Sequence, residues 1–480
     1  MQSFSTFGRV AAPAGSRRRL PSGALVAVGA LALLLAGCLP QTPAPDVGIA
    51  TPTHYVEGPA NPNAHLPPPE WWRSFRSSDL SRFVAEANID NLDIAVATAE
   101  IVQADAQVGI SGAPLYPNLT FAGSAAQIRS SGSSGNPGST SGQYILGLSA
   151  GYMVDFWGKN RSGLLAAEEN AAAARFNRDV VTLSTQVAVA NTYFQILGAR
   201  DQLRIAQNSL AAATRILDIV KRQFAGGTVS QLDVSQQEAL VAQVRASIPP
   251  IEITLRQNWA ALAVLLARTP VALTPPQGSL SQITVPRITP GLPSDLLTRR
   301  PDIALAEAQL LAGGYNVEAA RAAMLPQIQL TGTGGVQSAA LQALFAPGAW
   351  YYTLVAGLTQ PIFDGYLLQS QLDQAKGVQV QDLQVYRKAI LSAFADVEKA
   401  LVALDQTNKQ VKLQADVVES SRTAFRVAES QLAGGTTSLV AVLQAQQTYF
   451  TAENGLAQVR LARLLAATSL FQALGGGWGP

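Results

Sequence analysis

The side chains able to do covalent or metal chemistry are few, and they lie near the start of the chain. Cys38 is the only cysteine, so its thiol can be acylated or bind a metal but can form no intrachain disulfide. His54 and His65 are the two histidines, and no third ligand type stands near them at metal-binding spacing. Both read as solvated linker residues. No phosphate loop, nucleophile elbow or metal-ligand spacing follows in the rest of the chain. The reading is therefore not an enzyme, with no cofactor and no metal site.

The surroundings of Cys38 give its thiol a use. Arg9, Arg17, Arg18 and Arg19 precede an apolar run from Ala24 to Leu35, which is too short and one-sided for a spanning helix and reads as a secretory signal. Leu35-Ala36-Gly37-Cys38 resembles a lipobox, which implies cleavage before Cys38 and a covalent lipid on it. Leu39 stands where Asp would favour the inner membrane, so the outer membrane is expected. Residues 1–37 are thus assigned to the signal and 38–70 to a tether crowded with Pro59, Pro62, Pro67, Pro68 and Pro69. Loss of four arginines with the signal turns a formal charge of +2 slightly negative, which argues against nucleic-acid binding. No later run offers about 18 apolar residues, so any entry into a bilayer must be by strands.

Beyond the tether the chain repeats itself. Gln223-Phe224-Ala225-Gly226-Gly227-Thr228-Val229-Ser230 returns as Gln431-Leu432-Ala433-Gly434-Gly435-Thr436-Thr437-Ser438. Asp93-Ile94-Ala95 returns as Asp302-Ile303-Ala304, and Pro117, Leu119, Phe121 and Gly123 return as Pro326, Ile328, Leu330 and Gly332. The two units are placed at 71–280 and 281–480. Each reads as a helix, two strands, a very long helix, a Gly-Gly turn and a returning helix. In the second unit the long helix runs from about Leu367 to Ala433 without a proline, roughly 100 Å at helical rise. Its apolar residues recur every seventh position, from Leu383 through Ile390, Val397 and Leu404 to Val411, Val418, Phe425 and Leu432. Val189, Ile196, Leu203, Leu210, Leu217 and Phe224 do the same in the first unit, with Ala199, Ala206 and Ala213 offset by three. Such a repeat predicts left-handed coiled-coil packing, which a mere rod or spacer would also show.

The strands narrow the architecture. Tyr144, Leu146, Leu148, Ala150, Tyr152, Val154 and Phe156 alternate with Gly147, Ser149, Gly151 and Asp155, and Trp350, Tyr352, Leu354, Ala356 and Leu358 repeat the pattern. Tyr144 and Tyr152 lie roughly 27 Å apart along a strand, near the two edges of a bilayer. Partner strands begin at Pro117 and Pro326, and the hairpin tips span 130–142 and 338–348. Four strands cannot close a membrane barrel, whose smallest form has about eight, so partner subunits are required. Two chains would give eight strands and three would give twelve; only the wider ring leaves an obvious lumen. A soluble hairpin capping a helical bundle is the competing reading.

At this point the chain resembles the outer membrane efflux protein family, and most closely its NodT-like lipoprotein branch. Trp71-Trp72-Arg73-Ser74-Phe75 looks like the family's entry motif, and Leu297-Thr298-Arg299-Arg300-Pro301-Asp302-Ile303 with Ala306-Glu307 looks like the signature opening its second repeat. On local physics that signature is a helix start, with Thr298 able to cap, Pro301 in the first turn and Asp302 at the positive end. The resemblance implies a mainly α fold with a membrane β-barrel portion: a tandem-duplicated protomer of a trimeric 12-stranded β-barrel, continued by a periplasmic α-helical barrel. It implies a drug or small-solute efflux channel whose partners are a periplasmic adaptor and an inner-membrane transporter, expected to be of RND type. Type I protein secretion and a non-conducting scaffold are the alternatives.

In that frame the tips Gly226, Gly227, Thr228, Gly434, Gly435 and Thr436 would meet the adaptor, the glycines supplying positive backbone angles. Relatives often carry an acidic ring after the second tip, where this chain has Ala441 and Gln444, and only Asp233 near the first tip is acidic. The gate candidates are therefore Asp233, Gln236 and Gln444. A glutamine ring constricts and hydrogen-bonds but does not select cations by charge. Gln444→Asp is expected to raise cation selectivity in single-channel recordings; unchanged selectivity would remove Gln444 from the gate.

Overall fold

The computed structural model describes residues 47–56, 67–132, 138–274 and 276–477, so Cys38 and His65 lie outside the described residues. Two short helices open the body, α1 (Ser78–Asp90) and α2 (Leu92–Gly112). A hairpin follows, β1 (Asn118–Arg129) and β2 (Thr140–Val154), and then α3 (Lys159–Ala225), 67 residues long. The chain reverses and returns as α4 (Gln231–Ala246) and α5 (Ile248–Leu265). After α6 (Pro293–Arg299) the plan recurs as α7 (Pro301–Ala323), β3 (Gln327–Ser338), β4 (Trp350–Thr359), α8 (Leu367–Ala433) and α9 (Leu439–Ala473).

One returning helix per unit was the expectation, and in the first unit it is divided. Pro249 and Pro250 occupy the first turn of α5, where a missing N–H costs nothing, but their rings exclude continuation from α4 and the helix breaks at Ser247. The second unit has no proline there, and α9 runs unbroken for 35 residues.

The long helices bury the predicted seam. Val189, Ile196, Ala199, Ala206 and Ala213 are buried on α3, as are Ile390, Val397, Leu404, Val418, Phe425 and Leu432 on α8. Leu203, Leu210, Leu383 and Val411 are half-buried, and Phe224 at the end of α3 is exposed, at 44%. Midway along the helices an aromatic cluster closes the largest core. Trp71 stacks on Phe471 at 5.0 Å, and Phe75 meets Phe194 at 5.2 Å. The Trp71–Phe75 motif is thus core, a short 3-10 turn pinned against α3 and α9.

The Arg-Arg-Pro-Asp signature is a structural joint. Thr298 does not cap α7, because it sits in the last turn of α6 and spends its hydroxyl on the Asp295 carbonyl at 3.2 Å. The cap position belongs to Arg300, which offers no acceptor. Its buried guanidinium forks onto Asp302 at 2.7 and 3.0 Å, reaches Asp396 of α8 at 3.5 Å, and donates to the Ala473 carbonyl at 3.1 Å. One side chain therefore ties the start of α7 to α8 and to the negative end of α9. Arg300→Ala is expected to cost about 2 kcal/mol or more in thermal unfolding of the detergent-solubilised protein, with Arg300→Lys recovering little because an ammonium cannot reproduce the fork.

Candidate functional site

The four strands form one antiparallel sheet in the order β1-β2-β3-β4, so the two hairpins join edge to edge through β2 and β3. Paired residues share a face. Reading across the registers, Leu119 and Phe121 lie with Leu146, Leu148, Tyr152, Ile328, Leu330, Leu354 and Leu358 on one face. The opposite face carries Asn118, Thr120, Ser124, Gln143, Ser149, Gln327, Gln329, Thr331, Thr333 and Thr353, interrupted by a few apolar residues such as Ile145 and Val355. Arg129 is the one charged residue in the four strands. Arg129 lies in phase with Leu119 and Phe121 at the hairpin end of the apolar face, so the polar face of the strands carries no charged residue. On that polar face Tyr351 reaches across Gly335, and its hydroxyl would lie 3.1 Å from a Cβ placed on Gly147, so the two opposed glycines make room for it.

Aromatic residues mark both ends of the apolar face. At the hairpin end Trp350 and Tyr352 stack at 5.9 Å with 13° between planes. At the helix end Tyr116, Phe156, Phe363 and Tyr366 are all exposed. Such belts suit the two interfaces of a bilayer. Asp155 and Phe156 were read as part of the strand, but β2 ends at Val154. The reason is that Asp155 caps the long helix, accepting from the N–H groups of Asn160 and Arg161 at 2.9 and 2.8 Å. Asp364 does the same for α8 through Leu367 and Leu368. The residue before each long helix is left-handed, Gly158 at φ +76° and Tyr366 at φ +67°. An acid followed within three residues by glycine was the signal for this joint.

At the far end the two reversals share one geometry. The Gly227 N–H donates to the Phe224 carbonyl and the Thr228 N–H to the Gln223 carbonyl; Gly435 and Thr436 bond to Leu432 and Gln431 in the same way. This is a Schellman closure, which needs one left-handed residue. Gly227 at +74° and Gly435 at +71° supply it, whereas Gly226 at −80° and Gly434 at −83° are right-handed, so the expectation that all four glycines need positive angles is corrected. The hydroxyls of Thr228 and Thr436 reinforce the closures by donating to the same carbonyls as their own N–H groups, at 2.9 and 3.2 Å. The tips lie side by side, since Gln223 donates to the Leu432 carbonyl at 2.9 Å and Arg215 pairs with Glu429 at 3.0 Å.

The three gate candidates sit just behind these tips, and among the described residues no hydrogen bond joins them. Asp233 closes a capping box, its carboxylate accepting from the Ser230 N–H at 2.8 Å and hydroxyl at 2.7 Å. Those bonds hold it below the usual carboxylate range. The second tip has only half of this box: Ser438 caps the Ala441 N–H, and Ala441 has no carboxylate to return. Gln236 is half-buried on α4, and Gln444 is exposed on α9 beside Gln414, Gln447 and Thr448. Two other amides were missed by the sequence reading, Gln237 and Gln446, both fully buried. Gln237 donates to the Ala213 carbonyl at 2.7 Å, and its placement between Val234 and Val241 on one helix face was the available signal. Behind the second tip, Tyr449 donates to Glu453 at 2.8 Å and accepts from Arg422 at 3.3 Å, pinning α8 to α9.

With this geometry in place, comparison with known proteins defines the class: residues 84–268 and 292–476 each match the outer membrane efflux protein family, two segments offset by 208 residues. The chain belongs to that family and is an outer-membrane channel component of an efflux system. It is 37% identical to the pyoverdine export outer membrane protein OpmQ of Pseudomonas putida, over 93% of this chain and 96% of that one. It is 30% identical to the toluene efflux pump outer membrane protein TtgC of Pseudomonas putida, over 95% and 96%. The fold is similar to the open state of the Neisseria gonorrhoeae MtrE outer membrane channel, with TM-score 0.80, 28% identity, and 92% and 98% of the chains covered.

Two predictions come from the tips. Gly227→Ala or Gly435→Ala is expected to destabilise its reversal by roughly 1 to 2 kcal/mol, because a Cβ is strained in left-handed backbone, while Gly226→Ala and Gly434→Ala stay within about 0.5 kcal/mol. Protease nicking of the tips in the purified protein checks this. Ala441→Asp should complete the second capping box and slow nicking there several-fold at pH 7. A depressed carboxylate pKa contributes stability above its unfolded value and loses it as pH falls through the lower folded value, so that gain disappears in acid.

Proposed function

We infer that three copies of this chain close a twelve-stranded barrel in the outer membrane, continued by twelve helical segments as a tunnel through the periplasm. The observation that carries this is a four-stranded sheet with one apolar face, one polar face and two unpaired edges, since hydrocarbon tolerates no bare strand edge. In this reading the polar face lines the lumen and the aromatic belts sit at the bilayer interfaces. The chain is a passive conduit, not an enzyme. Cys38 carries a lipid that holds the tether to the membrane.

The paired tips, through Gly226, Gly227, Thr228 and Gly434, Gly435, Thr436, receive a periplasmic adaptor that connects to an inner-membrane transporter of the RND type. Asp233, Gln236 and Gln444 stand where the tunnel narrows. Small solutes are the cargo, in keeping with the pyoverdine and toluene named for the relatives. A weakly charged lumen suits solutes of either sign.

Reconstitution into planar bilayers tests the channel: discrete conductance steps are expected, and a silent bilayer would leave only a scaffold. Labelled palmitate should be incorporated into the wild-type chain and not into Cys38→Ser. That variant is expected to keep its conductance once purified, because the substitution leaves unchanged the tether's own contacts with the body, such as the Val47 carbonyl accepting from Arg387 of α8 at 2.7 Å.

A further inference from the structure

The internal repeat fixes how two copies of the chain meet, down to the residue. Within one chain β2 pairs with β3, which joins the first hairpin to the second. In a closed ring β4 of one copy must pair with β1 of the next, and that junction joins a second hairpin to a first. The two junctions are equivalent by the repeat, so the one inside the chain is a template for the one between chains.

The hairpins' own registers set the correspondence. Leu119 faces Ala150 in the first, and Ile328 faces Leu358 in the second, so Leu119 maps onto Ile328 and Ala150 onto Leu358. Across the internal junction Leu148 faces Gly334 and Ala150 faces Gly332. Carried over, these become Ala356 facing Ala125 and Leu358 facing Gly123. We propose that neighbouring copies assemble with β4 and β1 in this register, Ala356 opposite Ala125, which also sets Tyr352 opposite Arg129.

Three independent features agree with it. First, the register keeps the faces consistent: Ala125 and Gly123 belong to the apolar face of β1, as Ala356 and Leu358 do on β4. A slip by one residue would turn every side chain of one copy to the wrong side. Second, it brings Arg129, the one charged residue in the sheet, against the stacked Trp350 and Tyr352 at the hairpin end. A guanidinium on an aromatic face at the membrane surface is a favourable pair, and at the apolar centre it would be costly.

Third, the helices show the same vacancy. α7 packs both on its own long helix, α8, and on α3 of the preceding repeat, whereas α2 packs on its own long helix, α3, with no preceding repeat in the chain. Ala308 and Ala312 on α7 are accordingly buried, at 4% and 3% exposure, while their equivalents on α2, Ala99 and Gln103, are exposed. The missing neighbour of α2 is α8 of the copy whose β4 pairs with β1.

Cysteine pairing tests the register, and it rests on the closed-ring reading above. Facing residues of antiparallel strands lie about 4.5 to 5.5 Å apart at Cα, inside the range of a disulfide. The double variant Ala125→Cys with Ala356→Cys, oxidised in detergent, should run on non-reducing gels as covalent dimers and trimers. It should form at least tenfold faster than Ala125→Cys paired with Leu354→Cys or Leu358→Cys, which represent slips of two residues. Conductance should survive, because both cysteines face outward. Leu148→Cys with Gly334→Cys, the template pair inside one chain, reports that the oxidation works. Faster linking of either slipped pair overturns the register while leaving the ring. If the template pair links and no inter-chain pair does, the closed ring itself fails.

Discussion

Hydrocarbon offers no partner for a backbone N–H or C=O, and that constraint organises this protein. A sheet of four strands with an apolar face ends in two rows of unsatisfied groups, at β1 and at β4. Each such group costs several kcal/mol in lipid. In the proposed ring these edges are paired, and the apolar exposure along β1, β4 and α2 becomes the surface between copies. The repeat makes this explicit, because the chain already contains one finished junction between hairpins and lacks its equivalent at the ends.

The helical part follows a different rule. A helix satisfies its backbone internally, so length is limited only by what covers its apolar seam. α3 and α8 are each 67 residues long because small and large residues alternate along seams that face returning helices. Where the seam ends, the chain must reverse within a few residues. Both reversals use one left-handed glycine and a threonine whose hydroxyl adds to the closure, and both place a serine at the next helix start. Around the two reversals the units differ in side chains and in a proline pair. The first tip has the Asp233 box and a returning helix broken at Ser247, while the second has Ala441 and an unbroken α9. Two tips with the same backbone and different capping present different surfaces to whatever docks on them.

Arg300 illustrates how a family signature can be architecture. Its guanidinium collects Asp302, Asp396 and a terminal carbonyl of α9, so the start of the second repeat, its long helix and its last helix meet at one ion-paired fork. Burial alone would make the charged form costly, and the two carboxylates reverse that. The Trp71–Phe75 motif plays the matching part for the first repeat, through aromatic packing on Phe194 and Phe471.

The sequence by itself determined the elements whose signal is periodic. The proline-free run from Leu367 to Ala433 is α8 to the residue, and alternation located β2 and β4, with their partner strands starting just after Pro117 and Pro326. Periodicity is local, so it is legible without a structure. What only the tertiary structure decided is where local options compete for distant partners. Thr298 looked like a cap and is the end of another helix; Asp155 looked like strand and caps α3; four glycines looked alike and only two are left-handed. The β2–β3 register, too, joins residues nearly two hundred positions apart, such as Leu148 and Gly334, through backbone groups that carry no sequence label.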